Sequence, residues 1–350
     1  MTLVTTGERW NKHVYPDVDA WSPTLPLIVY ASGYDDIKQP AQICLAWQAG
    51  SEWRSFPLAN DGWFNRHTGC FQTWAPDNSG IYYHSSESRG TNFLRFGVLE
   101  PIEIGPLHRH ISPDGRHLVY REFGQRPWNK KFSGNDLCVM DVESFDSARV
   151  MISYDALEAA SGPNATPAYT DNVLTFTNTI WSPDGMKMLL SNSWGELFCA
   201  VSDCPYCGSF ALIPLGKAGH RSWHPDSERI VFASGAPGQL GLHEIRYDGT
   251  GHRLITDDRS CYGSPGSHPV YSPDGQWIVG ESYVPDAFAI WLTNAETGDG
   301  FKLVDVGTTY GVAKPDGTHM HPIWSPDGTQ ILYDSDATGT CQMYLTEVPQ

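Results

Sequence analysis

A phrase of the type W-S-P-D-G recurs seven times along this chain, and it constrains the fold more than any other feature. It reads "AWSPTLPLIVYAS" from Ala20, "TWAPDNSGIYYHS" from Thr73, "HISPDGRHLVYRE" from His110 and "IWSPDGMKMLLSN" from Ile180. It returns as "SWHPDSERIVFAS" from Ser222, "VYSPDGQWIVGES" from Val270 and "IWSPDGTQILYDS" from Ile323. The prolines of successive copies are about 50 residues apart on average, near the period of propeller blades.

Each copy has the same mechanics. A short apolar strand leads in. Pro then fixes φ and Gly accepts a positive φ, which makes a tight turn. An alternating strand follows, as in Thr329-Gln330-Ile331-Leu332-Tyr333, and a further strand such as Gln342-Met343-Tyr344-Leu345 comes after a polar loop. This predicts an all-β fold: a seven-bladed β-propeller of four-stranded blades, one domain over residues 1–350. The last repeat leaves room for only three strands, and Thr2 to Thr6 is a β-prone stretch. The N-terminal strand is therefore expected to complete the last blade and remove the open edges. Helical signal is confined to Tyr154 to Ala160.

Composition agrees and excludes several classes. The 350 residues include 34 glycines and 25 prolines, a turn-dense balance, with 40% hydrophobic residues for a core. A net charge of −17 argues against a basic surface for nucleic acid. No apolar run reaches the roughly 18 residues a membrane-spanning helix needs. The start, "MTLVTTGERWNKHVYPD", lacks the apolar region of a secretory signal, so the chain as written is expected to be cytoplasmic, or secreted or periplasmic if trimmed. A monomer is expected. Eight cysteines are too sparse for a disulfide scaffold. Cys199, Cys204 and Cys207, in "CAVSDCPYC", include a C-x-x-C spacing and are candidates for a structural Zn²⁺.

The repeat also has a register of histidines. The residue four before the Ser of S-P-D, or before its substitute, is Val18, Phe71, His108, Asn178, His220, His268 and His321 in turn. In a propeller this position begins the innermost strand, at the rim of the central channel. A lone rim histidine ordinarily hydrogen-bonds a neighbouring loop, but four at one register point to convergence. His110 and His319 lie two residues away, so alternation aims them the same way. Converging neutral imidazoles suit a transition metal, often with a carboxylate or amide completing the set. Blades six and seven are adjacent, and Asp316 precedes His319 by three residues. The expected ligands are His268, His319 and His321, with Asp316 as a candidate fourth.

The W-S-P-D-G phrase resembles that of the TolB-like propeller repeat family over essentially the whole chain, which implies fold and little about function. A narrower resemblance is to the oligogalacturonate lyases, seven-bladed propellers that hold manganese with one histidine and a Gln-x-x-His-x-His-Pro stretch of the last blade. Here that stretch reads Asp316-Gly317-Thr318-His319-Met320-His321-Pro322, with Asp316 at the glutamine position, and His268 looks like the remaining ligand. The related ulvan and rhamnose–glucuronate lyases share the ending seen here as "HPIWSPDGTQILYDS". The stretch Phe232-Ala233-Ser234-Gly235, where the pectin enzymes' catalytic histidine is expected, carries none.

The resemblance implies β-elimination on a uronate-containing oligo- or polysaccharide, in the central funnel, with Mn²⁺ or Ca²⁺. Such chemistry needs a cation at the carboxylate, a base and an acid. Arg109 and Arg221 follow the rim histidines and suit a carboxylate. His108, His110 and His220 are candidate bases or acids, with Tyr262 and Tyr283 as candidate acids. Two other classes remain open: a non-catalytic TolB-like scaffold binding a protein or peptide, and a metal-dependent hydrolase or isomerase.

Overall fold

In a computed structural model, the chain is described over residues 1–34, 39–98, 100–121, 136–143, 149–161, 176–192, 196–201, 211–234, 240–258, 268–284, 287–307 and 318–349. Asp316, Cys204, Cys207 and Tyr262, and the side chains of Tyr283 and Asn178, lie outside the described residues.

The described strands form seven four-stranded antiparallel sheets, which makes the fold an all-β, seven-bladed propeller. Blade one is β2 (Trp10–Lys12), β3 (Leu27–Gly33), β4 (Ala41–Ala49) and β5 (Glu52–Gly62), preceded in the chain by β1 (Thr2–Leu3). Blade two is β6 (Thr73–Trp74), β7 (Gly80–His84), β8 (Thr91–Arg95) and β9 (Ile102–Gly105). Blade three is β10 (His108–Ile111), β11 (His117–Arg121), β12 (Leu137–Asp141) and β13 (Arg149–Ile152), followed by a short helix α1 (Tyr154–Ala160). Blade four is β14 (Phe176–Trp181), β15 (Lys187–Asn192), β16 (Glu196–Val201) and β17 (Ala211–Lys217). Blade five is β18 (Arg221–Trp223), β19 (Arg229–Ser234), β20 (Gly241–Arg246) and β21 (Arg253–Thr256). Blade six is β22 (Val270–Tyr271), β23 (Trp277–Val284), β24 (Ala287–Asn294) and β25 (Gly300–Asp305). Blade seven is β26 (Ile323–Trp324), β27 (Gln330–Ser335) and β28 (Gln342–Glu347), completed by β1.

The chemistry of the repeated phrase explains the regularity. In blades four, six and seven the serine hydroxyl donates to the aspartate two residues on: Ser182 to Asp184 at 2.5 Å, Ser272 to Asp274 at 2.5 Å and Ser325 to Asp327 at 2.6 Å. The same carboxylate oxygens accept the backbone N–H of Met186, Gln276 and Thr329, closing each turn. The glycine position has φ near +72°, and where it is Asn78 or Ser227 the residue still takes φ of 59° or 62°. Asn tolerates that region better than most residues.

The tryptophan of the phrase ties neighbouring blades. Trp74 Nε1–H donates to Ala20 O, Trp223 Nε1–H to Ile180 O and Trp324 Nε1–H to Val270 O, at 2.9, 3.2 and 3.0 Å. Apolar cores sit between blades rather than within them. One joins Ile28, Tyr30 and Cys44 of blade one to Ile323, Leu332 and Met343 of blade seven. Another joins Val279 and Ile290 of blade six to Ile331 and Tyr333 of blade seven. The expected closure is present: Thr2 pairs with Leu345 and Leu3 with Tyr344.

The chain forms two compact units. Met1–Gly105 with Ile255–Gln350 holds blades one, two, six and seven, and Pro106–Leu254 holds blades three and four with most of blade five.

Two local expectations need correction. The histidine register begins the inner strand only in blade three, at His108; His220, His268 and His321 precede β18, β22 and β26. The phase argument for His110 also fails, because β10 bulges between His108 and His110 and alternation is interrupted there.

Candidate metal centre

The site lies in the first unit. It is assembled from the hairpin loop after β5, the segments before β22 and β26, and the end of β2. The loop is pinned by reciprocal backbone bonds between Asn65 and Gly69, at 2.7 and 2.8 Å. Asn65 Oδ1 also accepts the His67 N–H at 2.7 Å, an Asx turn that sets His67 at the loop tip.

His67, His319 and His321 bring one ring nitrogen each to a common point, all within 4.8 Å of one another. Their ring centroids are separated by 4.4 Å (His67–His319), 4.8 Å (His67–His321) and 5.3 Å (His319–His321). His268 joins as a fourth imidazole, 4.5 Å from His321. It is further from His319 and His67, at 5.9 and 6.4 Å. His268 Nδ1 is hydrogen-bonded to Glu281 Oε1, and both side chains are buried. A carboxylate only accepts, so this bond assigns the proton of the neutral ring to Nδ1 and leaves Nε2 as the lone-pair nitrogen. Tyr15 caps the cluster, with ring centroids 5.5, 5.1 and 5.0 Å from His67, His268 and His321.

His321 carries two unusual features. Its φ is +47°, a left-handed conformation that costs free energy for a residue with a Cβ. This bend, not strand alternation, turns His319 and His321 toward one point. The ring is fully buried, and neither nitrogen has a hydrogen-bond partner among the described residues. A buried polar atom left so costs about 1–3 kcal/mol unless a ligand takes its lone pair.

Electrostatics keeps His67 and His321 neutral. Burial first, then the nearby Lys12 charge, lowers the His67 pKa to about 4. Burial likewise drives His321 well below the ordinary range, reinforced by the neighbouring His268 and Lys12. Neutral imidazoles are the form that binds a metal. The donor set therefore fits a transition metal ion, with His67, His319 and His321 as ligands and His268 beside them.

Sequence reasoning found His268, His319 and His321 but missed His67. That residue is four before Phe71, off the repeat register, and its only signal was the Asn65…Gly69 turn around it. Asp316 lies outside the described residues, so its expected place in the set stays an expectation. Tyr262 and Tyr283 fall within the first unit, with Tyr262 and the Tyr283 side chain outside the described residues, and the remaining histidine, arginine and cysteine candidates belong to the second unit. There β10 carries buried His108 with half-buried Arg109 and His110, and His110 Nδ1 accepts the Trp181 N–H at 3.4 Å. His220 and Arg221 are half-buried at the start of β18, with Arg221 Nη2 donating to Ser191 Oγ at 2.8 Å. Cys199 is buried in β16, and burial pushes its thiol up to about 12.

No protein-family model matches the chain. Its fold is shared with an oligogalacturonate lyase solved in complex with manganese, which superposes with a TM-score of 0.75, at 16% identity, over 99% of this chain and 93% of that one. Among curated sequences, the oligogalacturonide lyase of Pectobacterium atrosepticum is 29% identical over 147 residues, 37% of this chain and 37% of that protein. An uncharacterized protein of Agrobacterium fabrum is 29% identical over 163 residues, 44% of this chain and 52% of its own length. The matched stretches thus span about half or less of these curated relatives.

Proposed function

We propose that this chain is a lyase that cleaves uronate-containing oligosaccharides by β-elimination, with a divalent metal held by His67, His319 and His321 and flanked by His268. The observation that carries the reading is the convergence of three imidazoles, buried His321 and half-buried His67 and His319, with ring nitrogens all within 4.8 Å of one another. The resemblance to lyases of that substrate class supports it.

When bound, the metal supplies positive charge to neutralise the substrate carboxylate and so acidify the neighbouring C–H. The reaction then asks three things of the chain. A base takes the C5 proton of the uronate. The C5 electrons form the C4=C5 double bond as the C4–O bond breaks. An acid protonates the departing oxygen. His108, His110, His220 and Tyr283 are proposed for the two proton transfers, and Arg109 and Arg221 for holding the carboxylate. Tyr15, half-buried against three of the imidazoles, is a further proton-transfer candidate that the sequence did not single out.

The decisive assay incubates the protein with oligogalacturonates and other uronate oligosaccharides, with added manganese, calcium or zinc. The expected result is ultraviolet absorbance from a conjugated unsaturated uronate, removed by a chelator and by His321→Ala. Metal binding without unsaturated product on any uronate would discard the lyase reading in favour of a hydrolase, isomerase or scaffold.

A further inference from the structure

Lys12 ends β2 with no solvent exposure, an unusual place for a lysine. Its ammonium lies 2.7 Å from Asp334 Oδ2, and neither side chain is exposed. Burial pulls the Lys12 pKa down, but the attraction of Asp334 and their hydrogen bond outweigh it and leave Lys12 charged. The ammonium also donates to His319 O at 3.3 Å. From β27, the Asp334 N–H donates to Met320 O at 2.9 Å, and Asp334 Oδ1 accepts the His13 N–H at 3.4 Å. On the other side, the Lys12 carbonyl accepts from Gln72 Nε2 at 3.1 Å, and Gln72 Oε1 accepts the Cys70 N–H at 2.8 Å. The pair therefore reaches, through one or two hydrogen bonds, both chain segments that carry the converging imidazoles.

A buried ion pair is a poor source of stability, because desolvating two charges offsets most of their attraction. Its best-attested use is to fix one register among several. The segment here has a reason to need fixing. His321 sits at positive φ without being glycine, and such a conformation persists only where the surroundings over-determine it.

We propose that the Lys12–Asp334 pair is a positioning device for the metal ligands. Through the Lys12 ammonium it clamps the carbonyl of His319, beside the backbone bond from the Asp334 N–H to Met320 O, so that His319 and His321 present ring nitrogens to the same point as His67. The pair holds ligands rather than touching the reacting atoms, and its role rests on the metal reading above but not on the identity of the sugar.

The test uses Zn²⁺ and Co²⁺ alone, titrated into the metal-free full chain and followed by calorimetry and by the visible Co²⁺ absorption band. Three variants are compared: Lys12→Met, the double variant Lys12→Met/Asp334→Asn, and Val29→Ala as a destabilising core control that leaves the ion pair and the ligand side chains unaltered. The double variant leaves no uncompensated buried charge, so it is expected to fold with a midpoint close to the parent's even if Lys12→Met alone does not. Its Zn²⁺ dissociation constant should rise about 10–100-fold, the usual effect of losing a partner that orients a ligand, with an altered Co²⁺ band. Val29→Ala should melt earlier but keep both. An unchanged dissociation constant and band in the folded double variant would overturn the proposal. So would failure of the double variant to fold, because the pair would then be a stability element. If the unaltered chain binds neither ion, the metal reading itself falls, and this proposal with it.

Discussion

The two units use histidine in opposite ways. In the second unit several rings make local structural contacts. His110 Nδ1 accepts the Trp181 N–H, and His224 Nδ1 accepts the Asp226 N–H at 3.1 Å within its turn. His243 and His252 pair at 3.2 Å and stack on Phe232. In the first unit His321 has no such partner on either nitrogen among the described residues, and its backbone is bent into a costly conformation to face three other imidazoles. A histidine at the repeat register is thus not yet a site. What distinguishes the first unit is imidazoles aimed at each other and kept neutral.

The largest expected effect separates the units outright. His321→Ala should abolish stoichiometric metal binding and with it any lyase activity, whereas His220→Ala should keep full metal content by elemental analysis. If His220 moves a proton, its loss lowers the rate by roughly 10²–10⁴-fold at unchanged metal content. Loss of metal from His220→Ala and not from His321→Ala would invert the comparison.

Glu281→Gln comes next. It removes the carboxylate that orients His268, and a loss of about 10–100-fold in metal affinity is expected in calorimetry. No change would remove His268 from the site's environment.

Acid should then distinguish the metal-free from the metal-loaded chain. In the folded state His67 titrates at about 4 and His321 well below its ordinary range, while both take up protons near 6.5 once unfolded. The unfolded chain therefore binds more protons below pH 6.5, and stability present above that value is lost as pH falls toward 4. The loss is on the order of 2–3 kcal/mol for His67, and denaturant melts between pH 7 and 4.5 measure it. A flat profile in the metal-free chain would contradict the neutral cluster.

The smallest contrast pairs two equivalent tryptophans. Trp324→Phe and Trp223→Phe each remove one inter-blade hydrogen bond, worth about 1 kcal/mol in thermal stability. Only Trp324→Phe, close in sequence to His321, should also shift metal affinity measurably.

The fold was legible because its signal was redundant. Seven copies of the phrase share a proline, six of them take a positive φ in the turn and four add a serine–aspartate bond, which leaves little room for another reading. The closing strand followed from counting strands to Gln350. The site was legible only where it shared the repeat's register, at His268 and His321, or lay beside it, at His319. His67 comes from a loop between blades, where no period applies. Lys12, His13 and Tyr15 stood in view in "NKHVYPD", but pairing Lys12 with Asp334 requires a contact across 322 residues of sequence. Period-2 reasoning failed at His110 because a bulge intervened, and at His321 because a positive φ replaced the strand.

That long-range contact has a consequence for how the protein comes into being. The ligand segment and the lysine that grips it lie 307 residues apart, so the lysine cannot meet its partner until that later segment has been made. Closing so distant a contact adds little entropy cost per added residue but tends to make folding slow. Metal capture should then be among the last events of refolding. The colour of bound Co²⁺ would appear after the circular dichroism signal of the strands has settled, so that the ion serves as a clock for the moment these two distant segments meet.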